Sequence, residues 1–119
     1  MPERHVDIAI VGAGVVGLAT ALSIAPTGLQ IALFEAQPKP SALPRGTALN
    51  EWDRRVTALT PQSIRFLQSL CAWPLIEETK RYGVYTDMLV WDSEGTGHIH
   101  FKAADLSIES LGTIVESSL

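Results

Sequence analysis

Cysteine is almost absent from this chain. Cys71 is the only one in 119 residues, so no internal disulfide can form and packing must hold the fold together. Basic residues are scarce too: nine Lys and Arg stand against thirteen Asp and Glu, for a formal net charge of −4 at pH 7, with no block of Lys or Arg. That balance argues against a nucleic-acid-binding surface. No apolar run approaches the roughly eighteen residues that a membrane-crossing helix needs. The opening residues, Met1 to Asp7, lead into the first apolar segment without the basic and apolar regions of a signal peptide. A soluble, cytoplasmic protein is the expectation, with one small domain or part of a larger one.

What is present is concentrated near the start. A short apolar run, Ile8 to Val11, enters Gly12-Ala13-Gly14-Val15-Val16-Gly17, and Glu35 closes a second run, Gln30 to Phe34. This is the layout of a dinucleotide-binding βαβ unit. Gly12 serves the tight turn out of the strand, Gly14 lets backbone approach a pyrophosphate, and Gly17 lets the helix press on the sheet. The helix that follows offers N–H groups and a positive dipole end to phosphates. At the end of the second strand the Glu35 carboxylate can accept both hydroxyls of an adenosine ribose. The bland alternative is a glycine-rich turn in an ordinary α/β protein, and the fingerprint alone does not separate a flavin from a nicotinamide.

Around this unit the periodicity predicts a buried parallel strand over 6–11, a helix from about Val15 to Ala25 with Gly17, Leu18, Ala21, Leu22 and Ala25 on its packing face, and a second strand from Leu29 to Phe34. Pro38, Pro40, Pro44 and Gly46 make a long loop after Ala36. Regular structure is expected again near Asp53. Thr60-Pro61 is an N-cap with proline at the first helical position, opening a helix that buries Ile64, Leu67 and Leu70. A short helix from Leu75 to Thr79, a β-hairpin over Tyr85 to Phe101 turning at Asp92 to Gly97, and a strand from Gly112 to Glu116 complete the reading. Ser117-Ser118 reads as a helix N-cap with no helix after it.

Smaller signals favour structural roles. His98 and His100 share one face of the hairpin at a spacing compatible with metal ligation, but no third ligand accompanies them, so an exposed strand face is the expectation. Glu77, Glu78, Lys80 and Arg81 read as a solvated helix face. Trp52, Trp73 and Trp91 read as separate packing residues. Cys71 reads as a small residue at a helix end.

Four separated segments carry a resemblance: Asp7 to Glu35, Asp53-Arg54-Arg55-Val56-Thr57-Ala58-Leu59, Met88 to Asp92 with Gly95, and Leu111 to Glu116. Together the chain resembles the N-terminal part of the flavin-dependent aromatic hydroxylases of ubiquinone biosynthesis, relatives of the p-hydroxybenzoate hydroxylase class. The resemblance implies an α/β fold: a Rossmann-like FAD-binding βαβ unit, followed by the start of an antiparallel substrate-side sheet in an incomplete domain. The division it implies is residues 1–80 for the FAD-binding part and 81–119 for the start of the substrate sheet. FAD is the implied nucleotide, with NAD(P)H as electron donor. The implied cofactor residues are Gly12, Gly14, Val16, Gly17, Glu35 and Arg55, the arginine lying beside the flavin in the family; a surface arginine paired with Asp53 or Glu51 is the plain alternative. The implied reaction inserts one oxygen atom into the ring of a polyprenyl phenol or quinol. A ubiquinone-biosynthesis complex and a peripheral position at the inner membrane follow by the same resemblance.

No residue qualifies as an acid, base or nucleophile for that step, and no metal ligand set is assigned. Members of the family are several times longer and carry a later Gly-Asp-Ala-His-type motif that this chain lacks, so it reads as an N-terminal fragment, inactive alone and with apolar faces left uncovered. Cys71 stands where relatives often have glycine. Two other readings remain: another FAD or NAD oxidoreductase sharing only the Rossmann start, and a non-catalytic nucleotide-binding or assembly module.

Overall fold

The computed structural model describes residues 5–38 and 49–118. Most of the proline-rich loop expected after Ala36 lies outside them. The chain forms two compact units, Met1–Ser41 and Ala42–Leu119.

The first unit is a βαβ arrangement. β1 (Ile8–Val11) pairs in parallel with β2 (Ile31–Phe34), in the register Ile8 opposite Ile31 through Val11 opposite Phe34. Between them runs α1 (Val15–Ile24), continued by a 3-10 turn over Ala25–Thr27. The break follows from Pro26, which lacks an N–H, and from Gly28, which takes a left-handed φ of 80°. Asp7 fixes the base of the sheet: its N–H donates to the Gln30 carbonyl at 2.9 Å, and its carboxylate accepts the Gln30 N–H at 2.8 Å.

The expectation of a buried first strand needs correction. β1 alternates between half-buried and exposed residues, and Val11 is 88% exposed. Leu18 and Leu22, expected on the packing face of α1, are exposed, whereas Gly17 and Ala21 are half-buried. The physical reason is coverage. The helix is apolar on every side, but within this unit a two-stranded sheet can cover only one of them.

The second unit is antiparallel. After a 3-10 turn at Leu49–Glu51, β3 (Val56–Leu59) leads into α2 (Pro61–Ser69), α3 (Trp73–Thr79) and β4 (Tyr82–Tyr85). β5 (Asp87–Trp91) and β6 (His98–Lys102) form the expected hairpin, and β7 (Gly112–Glu116) ends the unit. β7 lies between β3 and β4, antiparallel to both. One sheet thus joins residues from either side of the boundary expected near residue 80.

The core lies where α2 and α3 cover this sheet: Leu67, Trp73 and Val115 are buried, with Leu59, Ile64, Ile76 and Tyr82 packed around them. The Trp73 and Tyr82 rings are tilted by 56° with centroids 5.8 Å apart, a favourable aromatic geometry. Trp73 opens α3 rather than ending α2, because Pro74 fits the first turn of a helix without losing a hydrogen bond. Thr60 caps α2 as its sequence implies, its hydroxyl accepting the Ser63 N–H at 3.2 Å.

The end of α2 explains the cysteine. Cys71 has φ 57°, in the left-handed region that favours glycine. Its N–H donates to the Gln68 carbonyl at 2.9 Å while the Ala72 N–H reaches Leu67 at 3.0 Å, the pair of bonds of a Schellman cap. Cys71→Gly relieves the strain of a side chain there, and its side chain is exposed. This variant is expected to stabilise the chain by about 0.5–1 kcal/mol, after allowing for the entropy of glycine in the unfolded state. A higher urea midpoint at unchanged slope checks it.

Candidate functional site

The turn between β1 and α1 is built by its glycines. Gly12 has φ +98°, a conformation that costs a side chain dearly, and its N–H donates to the Phe34 carbonyl at 2.7 Å. Gly14 is extended, with φ −71° and ψ 179°, and stands at the N-cap of α1 without any side-chain cap. Leu18 is the residue whose N–H closes back to the Gly14 carbonyl, at 2.9 Å. The N–H groups of Val15, Val16 and Gly17 precede the point where the intrahelical ladder begins, so they carry the donor capacity and partial positive charge of the helix end. A Cβ built on Gly14 would meet nothing within 4 Å, so the space beside it is open. Gly17 is the reverse: a Cβ there would lie 1.9 Å from the Gly12 carbonyl oxygen.

Glu35, just beyond β2, reaches this turn. One carboxylate oxygen accepts the Ala13 N–H at 2.7 Å and the other accepts the Gln37 N–H at 2.8 Å. The hydrogen bond from Gln37, followed by that from Ala13, holds the carboxyl below the usual carboxylate range against the smaller opposing effect of desolvation. The group is exposed and anionic, and two accepted bonds leave lone pairs for further donors. Gly12, Gly14, Val16, Gly17 and Glu35 therefore come together in one unit: Gly12 shapes the turn, and the N–H donors at the start of α1 stand beside a fixed carboxylate. That arrangement suits a ligand carrying both phosphate and vicinal hydroxyls.

Arg55 belongs to the second unit. Its guanidinium is 85% exposed and stands 4.0 Å from Asp53, whose carboxylate also accepts the Arg55 N–H at 2.9 Å. The segment carrying it is fastened from below by residues the sequence reading missed. Arg81, expected on a solvated helix face, is 1% exposed. It meets Glu116 through two bonds, Nε to Oε1 at 2.5 Å and Nη2 to Oε2 at 2.8 Å, and donates to the Glu51 carbonyl at 2.7 Å. Its guanidinium carbon lies 5.1 Å from the centre of the Trp52 ring, within cation–π range. Glu116 also accepts the Asp53 N–H at 2.6 Å. An arginine just before one strand and the single acid closing another were the signals that could have suggested the pair.

The remaining expectations divide. Trp73 is core and Trp91 is 68% exposed on the hairpin. His98 and His100 are exposed, and the His100 Nε2 lies 3.0 Å from the Asp87 carboxylate.

A family model for FAD dependent oxidoreductases matches residues 7–78. The chain is 33% identical to the 3-demethoxyubiquinol 3-hydroxylase of Escherichia coli over 120 residues, covering 100% of this chain and 29% of that protein. It is 29% identical to a mitochondrial ubiquinone biosynthesis monooxygenase of Dictyostelium discoideum, covering 95% of this chain and 24% of the other. Among solved structures, p-nitrophenol 4-monooxygenase from Pseudomonas putida shares the fold, with a TM-score of 0.57 at 20% identity over 91% of this chain and 25% of that one. The chain thus spans less than a third of the length of these relatives.

Proposed function

We propose, because this chain belongs to the FAD dependent oxidoreductase family, that it is the FAD-binding N-terminal portion of a flavin monooxygenase acting on the aromatic ring of a ubiquinone precursor. The observation that carries this reading is the meeting of Glu35 with the glycine turn at the uncapped start of α1. Those residues fit FAD: the open space beside Gly14 admits a pyrophosphate that a side chain there would exclude, and the Glu35 carboxylate retains acceptor capacity for ribose hydroxyls. Gly14, Val16 and Gly17 would hold the pyrophosphate through backbone on the turn that Gly12 shapes, Glu35 would hold the adenosine ribose, and Arg55 would offer guanidinium donors to flavin or phosphate oxygens.

FAD, when bound, supplies the redox and oxygen chemistry. The work of this chain is binding and orientation. Backbone donors at the turn neutralise phosphate charge without a counter-ion, and the buried Arg81–Glu116 pair fixes the segment that leads to Arg55. The names of the relatives favour a ubiquinone-precursor ring as substrate; a polyprenyl tail on that ring, NAD(P)H as donor and a ubiquinone-biosynthesis assembly belong to the reading through the family resemblance alone. Among the described residues no helix is long and apolar enough to cross a membrane.

The test is flavin retention. After incubation with FAD and desalting, the chain is expected to keep a substoichiometric flavin absorption band and show no hydroxylation. Gly14→Asp, which fills the open space and adds negative charge, is expected to lose the band. Equal retention in both would refute the site; preferential retention of NAD would favour a nicotinamide-dependent relative.

A further inference from the structure

The two hydrogen bonds to Glu35 have an unusual distribution. One partner, Gln37, is local, two residues along the chain; the other, Ala13, is separated by 22 positions in sequence and lies inside the glycine turn. Each carboxylate oxygen takes one of them, so the side chain spans from the end of β2 to the turn with both ends tied. Besides this contact, the turn is held to β2 by the Gly12 N–H on the Phe34 carbonyl. Gly12 and Gly14, on either side of Ala13, lack side chains that could pack and restrain the segment, and a Cβ at either would meet nothing within 4 Å. A glycine-flanked turn of this kind carries a large conformational entropy, which a ligand would otherwise have to remove on binding.

We propose that Glu35 is a positioning residue for the turn itself: its carboxylate clasps the Ala13 N–H from the strand end and holds the phosphate-receiving conformation before any nucleotide arrives. The ribose-binding role and the clasp use different lone pairs, so a ligand adds to the arrangement without displacing it. A carboxylate is required because both of its oxygens accept. An amide in its place can accept at one end only and turns its NH2 toward the other N–H. The description of the turn as phosphate-receiving rests on the function proposed above; the clasp does not.

Residue-resolved amide hydrogen exchange on the nucleotide-free 119-residue chain tests it. In Glu35→Gln the single amide oxygen can serve only one of the two N–H groups, so the Ala13 or the Gln37 amide is expected to exchange roughly tenfold to a hundredfold faster than in the native chain, the scale of a lost hydrogen bond to a charged acceptor. Far-UV circular dichroism should remain native. Glu35→Asp provides the second arm, because it keeps the charge and can still accept the local Gln37 N–H but is one methylene too short for Ala13. Its expected signature is fast exchange at Ala13 with protection kept at Gln37. Native-like protection at Ala13 in a folded Glu35→Asp, or at both amides in a folded Glu35→Gln, overturns the proposal. If Glu35→Gln loses its circular dichroism, the Asp variant decides alone; if both unfold, Glu35 supports the whole unit and the specific clasp is refuted. A native chain with Ala13 protected but no FAD retained would instead count against the proposed function and leave the clasp standing.

Discussion

Gly17→Ala is expected to abolish flavin retention and to collapse the βαβ unit with it. The added methyl would lie 1.9 Å from the Gly12 carbonyl oxygen, 3.1 Å from the Gly12 carbonyl carbon and 3.5 Å from Cγ2 of Ile10. The nearest atoms are backbone, so no side-chain rotation can relieve the overlap. α1 must move away from the end of β1. Overpacking of this sort costs about 1–3 kcal/mol in ordinary cores, and a two-stranded unit with half-exposed strands has little stability from which to absorb it. Gly14→Ala is the informative control, because its methyl would meet nothing within 4 Å. That variant should keep native circular dichroism and lose affinity for FAD, whereas Gly17→Ala should lose both. Native circular dichroism in Gly17→Ala would show that the helix can shift at small cost and that its close approach to the turn is dispensable.

The second large effect concerns the other unit. Glu116→Ala is expected to destabilise it severely, because Arg81 and Glu116 are each about 1% exposed in their side chains and Glu116 also satisfies the Asp53 N–H. Removing one partner of a buried pair leaves the other charge uncompensated, at a cost of about 3–5 kcal/mol in general. That is comparable with much of the stability of a small domain. The double variant Arg81→Met with Glu116→Met should recover most of the loss, since well-packed apolar groups can replace a buried pair nearly neutrally. The urea midpoints of wild type, both single variants and the double variant measure the coupling. Near-additive losses would mean that the pair is no more than two independent packing residues.

The same pair predicts the acid limb of stability. The hydrogen bond from Arg81 is the largest influence on the Glu116 carboxyl and holds it below its ordinary value of 4.5; burial opposes this, and the Asp53 N–H adds to it. A carboxyl with a lowered folded value contributes stability fully present above its unfolded value, lost as pH falls from about 4.5 through the lower folded value. The hydrogen bond to Glu116 pushes the Arg81 guanidinium above its ordinary value, so its charge persists throughout that window and reinforces the same limb. Urea midpoints across mildly acidic pH should therefore fall in the wild type and fall less steeply in the double Met variant.

Much of the nucleotide site was legible because it is local. The order of strand, glycine turn, helix and acid lies within residues 8–35, where Gly12 takes a φ of +98° and Gly17 presses on the Gly12 carbonyl. Thr60-Pro61 and the hairpin turn at Asp92 to Gly97 were readable for the same reason: a cap or a turn is chosen by side chains a few residues apart. Burial was legible only in part: Leu67 and Ile64 do join the core as the spacing along α2 implies. An apolar strand or helix declares a preference for cover, yet Val11, Leu18 and Leu22 remain exposed because cover depends on which other elements are present.

The sequence by itself determined the βαβ order, the cap of α2 and the glycine turn at the start of α1. Only the tertiary structure decided that β7 inserts between β3 and β4, that Arg81 turns inward to Glu116, and that Glu35 reaches back to Ala13. Propensity and capping act over a few residues of chain, whereas the buried ion pair joins residues 35 positions apart and the insertion of β7 also pairs residues still farther apart, as in Val56 with Glu116. Their energy depends on desolvation and register that no local window contains.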